Sequence, residues 1–116
     1  MKVYGLKNCD TCRKAMKDLA ASGRELEIID MRGGAVSKAR ITRWLKAVGA
    51  EALVNRRSTT WRGLTEEQKQ QAMGNGAKGD AASLLAEHPT LIKRPVVETG
   101  DEVFVGWTPT SKQALL

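Results

Sequence analysis

The sequence predicts an α/β protein, a mixed β-sheet with helices packed on it and a helical insertion between its halves. Three observations carry this. A strand, a helix and a strand follow one another with little slack at the front. The middle shows only helical periodicity, and the last quarter returns to two strands about a two-residue turn, then a helix.

Taken in order, Lys2 to Leu6 reads as a short buried strand ended by the polar Lys7-Asn8. From Thr11 to Ser22 the apolar positions Met16, Leu19 and Ala20 fall at helical spacing, and Gly23 supplies the stop. Leu26 to Ile29 is a second strand. This tight succession is a βαβ unit, with parallel strands and a right-handed crossover. Ser37 caps a helix whose apolar face is Ile41, Trp44, Leu45 and Val48, ended by Gly49. Thr65 and Gln68 form a capping box for the next helix, which stops at Gly74-Asn75-Gly76. Asp80 caps a third, carrying Leu84 and Leu85 and ended by Pro89. Val96–Thr99 and Glu102–Val105 flank the turn Gly100-Asp101. Thr108-Pro109 opens the final helix, threonine as cap and proline at the first helical position. Without repeats or linkers, the expectation is one domain over 1–116 with an insertion over about 35–90.

The 116 residues suffice for one core without disulfide staples. The start, MKVYGLKNCD, has no apolar run for a signal peptide, and no stretch approaches the roughly 20 apolar residues of a membrane span. A cytoplasmic address without membrane association is expected. The net charge is +6, from 19 basic and 13 acidic residues. Acidic groups such as Asp18, Glu25, Glu27 and Asp30 are interleaved with the basic ones, so a solvated basic surface is favoured over direct nucleic-acid binding.

In a reducing cytosol a structural disulfide is not expected, and the two cysteines close too short a loop to constrain the unfolded chain. Their use must be chemical. Cys9-Asp10-Thr11-Cys12 lies where the first strand hands over to the first helix. A helix start presents unpaired N–H groups and the positive end of the dipole, which stabilise a thiolate. A free cysteine is only about 3% thiolate at pH 7, and a pKa near 6 requires about 3.4 kcal/mol in favour of the anion. Helix end, N–H···S bonds and nearby cations must supply it together. Arg13 and Lys14 are close in sequence, while Asp10 opposes the anion. Cys9, facing solvent, is the better nucleophile, and Cys12, one turn in, is the expected resolving thiol. Two other readings stand beside this one. Zinc would need four ligands and has only His88 as a further soft donor, so no metal is expected. Both cysteines could instead be small buried residues.

The segments YGLKNCDTCRKA, ALVNRRSTTWRGL and HPTLIKRPVVE span Tyr4 to about Trp107. In these the chain resembles the ArsC/Spx family, and within it the YffB-like branch of glutathione-dependent thiol reductases. The resemblance implies a thioredoxin-like (glutaredoxin-like) fold with a helical insertion and makes Cys9 the counterpart of the catalytic cysteine. Arg57 matches a family arginine in the insertion, and Arg94 one before a proline, Pro95, whose bond to Arg94 is expected to be cis. Asn8 and Arg13, within the cysteine motif, join Arg57, Arg94 and Pro95 as expected substrate-binding residues. Without the resemblance, Arg57 and Arg94 read as surface arginines, Pro95 as a trans strand start, and Trp61 and Trp107 as core aromatics instead of groove walls.

The implied function is a cytoplasmic thiol-disulfide oxidoreductase, a monomer with no bound cofactor. Its co-substrate is glutathione, and its substrate a small oxidised thiol or oxyanion. The alternatives are an Spx-like redox regulator docking on RNA polymerase, and an arsenate reductase. Family arsenate reductases carry a third arginine, followed by proline, after the last strand, where this chain has Val105-Gly106-Trp107-Thr108-Pro109. They also lack a cysteine at the position of Cys12, whereas Spx regulators have CxxC there.

Overall fold

The computed structural model describes residues 1–6, 9–31, 36–74 and 81–116. The chain divides into two compact units, Met1–Ala35 with Arg94–Leu116, and Val36–Lys93. The first holds the sheet and the second is helical.

In the sheet unit, β1 (Lys2–Gly5), β2 (Glu27–Asp30), β3 (Val96–Thr99) and β4 (Glu102–Val105) lie in the order β2-β1-β3-β4. Between β1 and β2 runs α1 (Asp10–Ala21). That crossover brings the chain back in the same direction, so β2 pairs parallel to β1 with Val3 opposite Ile28. β3 pairs antiparallel on the other side, Val3 opposite Val97. Hydrophobic positions facing one way from β1 and β3 meet those of α1 and the last helix, α7 (Pro109–Leu115). Val3, Leu19, Val97 and Leu115 form this core, with Phe104 and Trp107 packed against it. The Thr108 hydroxyl accepts the Ser111 N–H at 3.2 Å and fixes the start of α7. Trp107 Nε1 donates to Asp18 Oδ2 at 3.1 Å, tying the segment before α7 to α1. Trp107 is thus partly buried, packed against this core.

The helical unit contains α2 (Lys38–Val48), α3 (Ala50–Leu53), α4 (Thr59–Arg62), α5 (Glu66–Ala72) and α6 (Ala81–Glu87), then a 3-10 turn, Pro89–Leu91. Ser37 caps α2 by accepting the Arg40 N–H, and Ile41 and Trp44 are its buried face. Both hydrogen bonds of the Thr65–Gln68 capping box are formed. α6 packs against α2 and α5 through Ala81, Ala82, Leu84 and Leu85, all buried. Nothing in the hydrophobic pattern marks α3, α4 or the 3-10 turn, because three or four residues are too few for periodicity to show. Ser58 does cap α4, accepting the Trp61 N–H at 3.1 Å. Val54 and Ile92 form an isolated antiparallel bridge, so the chain leaving α3 lies beside the chain leaving the 3-10 turn. The strand end at Lys7-Asn8, the Asn75-Gly76 stop and the Asp80 cap lie outside the described residues. No described helix is long and apolar enough to cross a membrane.

Candidate active site

Cys9 is the N-cap of α1, with extended dihedrals (φ −96°, ψ 118°). It is partly exposed, whereas Cys12 is buried, and both are free thiols. Burial by itself disfavours a Cys9 thiolate. Four groups outweigh it: the Cys12 backbone N–H, the Cys12 thiol, the Arg94 guanidinium and the Thr11 backbone N–H. The net result is a Cys9 pKa below the ordinary value. No cap bond of full geometry reaches the neutral sulfur, so the N–H groups act mainly as oriented dipoles until charge develops there.

Cys12 responds in the opposite sense. Burial dominates and pushes its pKa up to about 11, with the neighbouring Cys9 sulfur adding to the effect and Arg94 and the Leu6 backbone opposing it. Its sulfur sits against β1 at Gly5. A Cβ at Gly5 would stand 2.8 Å from Cys12 Sγ and 3.2 Å from Cys12 Cβ, closer than side chains tolerate. Only glycine leaves room for that sulfur.

The cation acting on Cys9 comes from far along the chain. Arg94 precedes Pro95, and the bond between them is cis. Its Nη1 is buried with no hydrogen-bond acceptor among the described residues. Arg13, the basic residue nearest to Cys9 in sequence, instead pairs with Asp10 on the exposed side of α1. That pairing also answers for Asp10, whose charge faces Arg13 and does not figure among the influences on Cys9. Asn8 lies outside the described residues.

Arg57 belongs to the helical unit. With Val54, Asn55, Arg56 and Lys93 it lines a cavity of about 360 Å³. The Asn55 side chain folds the loop by accepting the Arg57 N–H at 3.1 Å, and Asn55 N–H donates to Leu91 O across the bridge. Three cations line this cavity, with no carboxylate among the lining residues. Such a concave cluster attracts anions. Arg56 and Lys93 were not singled out by the sequence. The signal available was their position next to Arg57 and Arg94. Trp61 is half-buried in the same unit, with the Lys69 ammonium 5.8 Å from the centre of its ring. Among the described residues no group of three or more His, Cys, Asp or Glu side chains is placed to hold a metal ion.

A thiol that caps the helix of a βαβ unit, on this mixed four-stranded sheet, is the arrangement of a thioredoxin-like thiol protein. The chain belongs to the ArsC family, whose model matches residues 4–115. A Haemophilus influenzae protein is 41% identical over 112 residues, covering 97% of this chain and 95% of its own. Among solved structures, the YFFB protein is similar at 33% identity, with a TM-score of 0.83 and 99% and 97% of the two chains covered. An arsenate reductase (ArsC) related protein from Brucella melitensis is 34% identical, with a TM-score of 0.72 and coverage of 97% and 91%.

Proposed function

We propose that this chain is a cytoplasmic thiol-disulfide reductase that uses glutathione as its reducing co-substrate and Cys9 as its nucleophile. The observation that carries the reading is the surroundings of Cys9: the open end of α1, the Cys12 thiol and Arg94 together hold its pKa below the ordinary value. A thiolate available near neutral pH is what attack on a disulfide sulfur requires.

In the first step Cys9 Sγ attacks one sulfur of an oxidised thiol. A Cys9–substrate disulfide forms, the substrate S–S bond breaks, and the second sulfur leaves as a thiolate. Attack by glutathione thiolate, at the Cys9-bound sulfur or its partner, and a second thiol exchange return Cys9 to the thiolate. Two glutathiones are oxidised to one disulfide for each substrate disulfide reduced. Arg94 Nη1, buried and without an acceptor among the described residues, is a donor available to an anionic group on the substrate. Within the helical unit, the Arg56, Arg57 and Lys93 cavity suits an anionic group such as a carboxylate.

Arsenate reduction is the weaker enzyme reading, because the arginine expected after the last strand is absent from Val105-Gly106-Trp107-Thr108-Pro109. Gly106 has φ +77°, so adding an arginine there would strain the backbone and is a poor test of that reading.

The deciding measurement is the rate of iodoacetamide alkylation at Cys9 against pH, with and without reduced glutathione. The reading expects a midpoint below that of a free thiol and slower alkylation when glutathione is present. An ordinary midpoint without protection would overturn it and turn attention to a regulator docking on RNA polymerase.

A further inference from the structure

In the helical unit the chain turns at Asn55-Arg56-Arg57-Ser58, and Asn55 makes most of the bonds that set the turn. Its backbone carbonyl accepts the Ser58 N–H at 3.4 Å and the Ser58 hydroxyl at 3.0 Å. Its side-chain carbonyl accepts the Arg57 N–H at 3.1 Å. This is the arrangement that suits asparagine to the first position of a turn. Its own N–H donates to Leu91 O at 2.6 Å, beside the Val54–Ile92 bridge. Across the same bridge Lys93 N–H donates to Leu53 O at 2.8 Å, which brings Lys93 alongside the turn. Beyond the turn, Ser58 caps α4. Arg56 and Arg57 are thus the central residues of a turn pinned at both ends.

On its own, that pinning is electrostatically unfavourable. Arg56, Arg57 and Lys93 line one cavity of about 360 Å³, and none of its lining residues is acidic. Like charges held together repel, and a looser turn would let the two arginines part. An anion among them reverses the sign of the interaction, and guanidinium groups present paired donors to an oxyanion. The backbone N–H groups of Asn55, Arg57 and Lys93 are already donated elsewhere, so such an anion would be held by side chains.

We propose that Asn55 is a positioning residue: by bonding Arg57, Ser58 and Leu91 it holds Arg56 and Arg57 with Lys93 as a site for a multiply charged oxyanion. The inference rests on the reading of this cavity as an anion site, given above. Of the Asn55 bonds, only the one to the Arg57 N–H is accepted by the side chain, so it is the one a substitution removes. Asn55→Ala leaves that N–H to water and keeps every cation. A loss of anion affinity in this variant therefore reports on how the cations are placed and not on their number.

The test is a titration of the isotope-labelled protein with sodium sulfate, followed by its backbone amide resonances at constant ionic strength. Sulfate is doubly charged throughout the neutral range. Saturable shifts are expected at Arg56, Arg57 and Lys93, and weaker ones with nitrate, which carries a single charge. Asn55→Ala should weaken sulfate binding roughly fivefold, the worth of one hydrogen bond. Asn55→Ser, which offers a shorter acceptor, should recover part of that loss. The amide spectra show whether each variant is folded. Should Asn55→Ala not fold, Asn55→Ser decides alone, with a weakening of roughly twofold expected. Unchanged sulfate affinity in the folded variant would overturn the positioning role. Equal responses to sulfate and nitrate, or sulfate shifts confined to the residues around Cys9 and Arg94, would remove the site and the inference with it. Each of these failures leaves the reductase reading standing, because that reading is decided by alkylation at Cys9.

Discussion

The two units are organised by contacts of different range. In the helical unit the fixing hydrogen bonds are mostly local: Ser37 to Arg40, Ser58 to Trp61, Thr65 to Gln68 and Asn55 to Arg57. In the sheet unit the links run between elements: Gly5 of β1 with Cys12 of α1, Arg94 with Cys9, and Trp107 with Asp18 of α1. The helical unit can be perturbed one turn at a time. Changes in the sheet unit should be felt jointly by fold and chemistry.

Gly5→Ala should therefore have the largest effect on stability, a loss of about 1–3 kcal/mol typical of overpacking. The cause is specific, since the new methyl would lie 2.8 Å from a buried sulfur with little freedom to move. Urea unfolding of Gly5→Ala, Cys12→Ala and the double variant separates this from a general strand effect. Removing the sulfur should recover much of the loss, so the double variant should be more stable than the sum of the singles. Simple additivity would mean that Gly5 is needed for some other reason.

Next come two arginines, one from each unit. Arg94→Ala should raise the pH midpoint of Cys9 alkylation, because it removes the only cation acting on that sulfur among the described groups. Arg57→Gln, in the helical unit, should leave that midpoint unchanged, since Arg57 is not among the groups acting on Cys9. If Arg57→Gln moved the midpoint as far as Arg94→Ala, the division of labour between the two units would be wrong.

This contrast also explains what could be read in the sequence. The caps at Ser37, Thr65 and Thr108 were legible because a cap and its partner lie three residues apart. The succession of strands and helices along the chain, and the parallel pairing of the first two strands, followed from patterning. Cys9 was legible too, since its setting depends on the adjacent helix start. Its charge partner was not legible from local pattern, which favoured Arg13 and Lys14. In the structure Arg13 turns to Asp10, and the acting cation is Arg94. Only resemblance to other proteins had pointed to Arg94, because no periodicity records which residues a sheet brings together. The contact between Gly5 and Cys12 escaped for the same reason, and the short α3 and α4 for want of length.

The smallest effect should come from the helical unit's most local feature. In α5 the Thr65 hydroxyl accepts the Gln68 N–H at 3.1 Å, and Gln68 Oε1 accepts the Thr65 N–H at 3.0 Å. Thr65→Ala breaks the first of these and leaves an N–H to be satisfied by water, at a cost of about 1 kcal/mol or less, since the box is solvent-exposed. Amide hydrogen exchange should quicken within Glu66–Ala72 and remain unchanged in β1 and α1. The Cys9 alkylation midpoint should also stay fixed. A shift in that midpoint would show that a one-turn change in the helical unit is felt at the thiol. The local character assigned to that unit would then hold for its hydrogen bonds but not for its energetics.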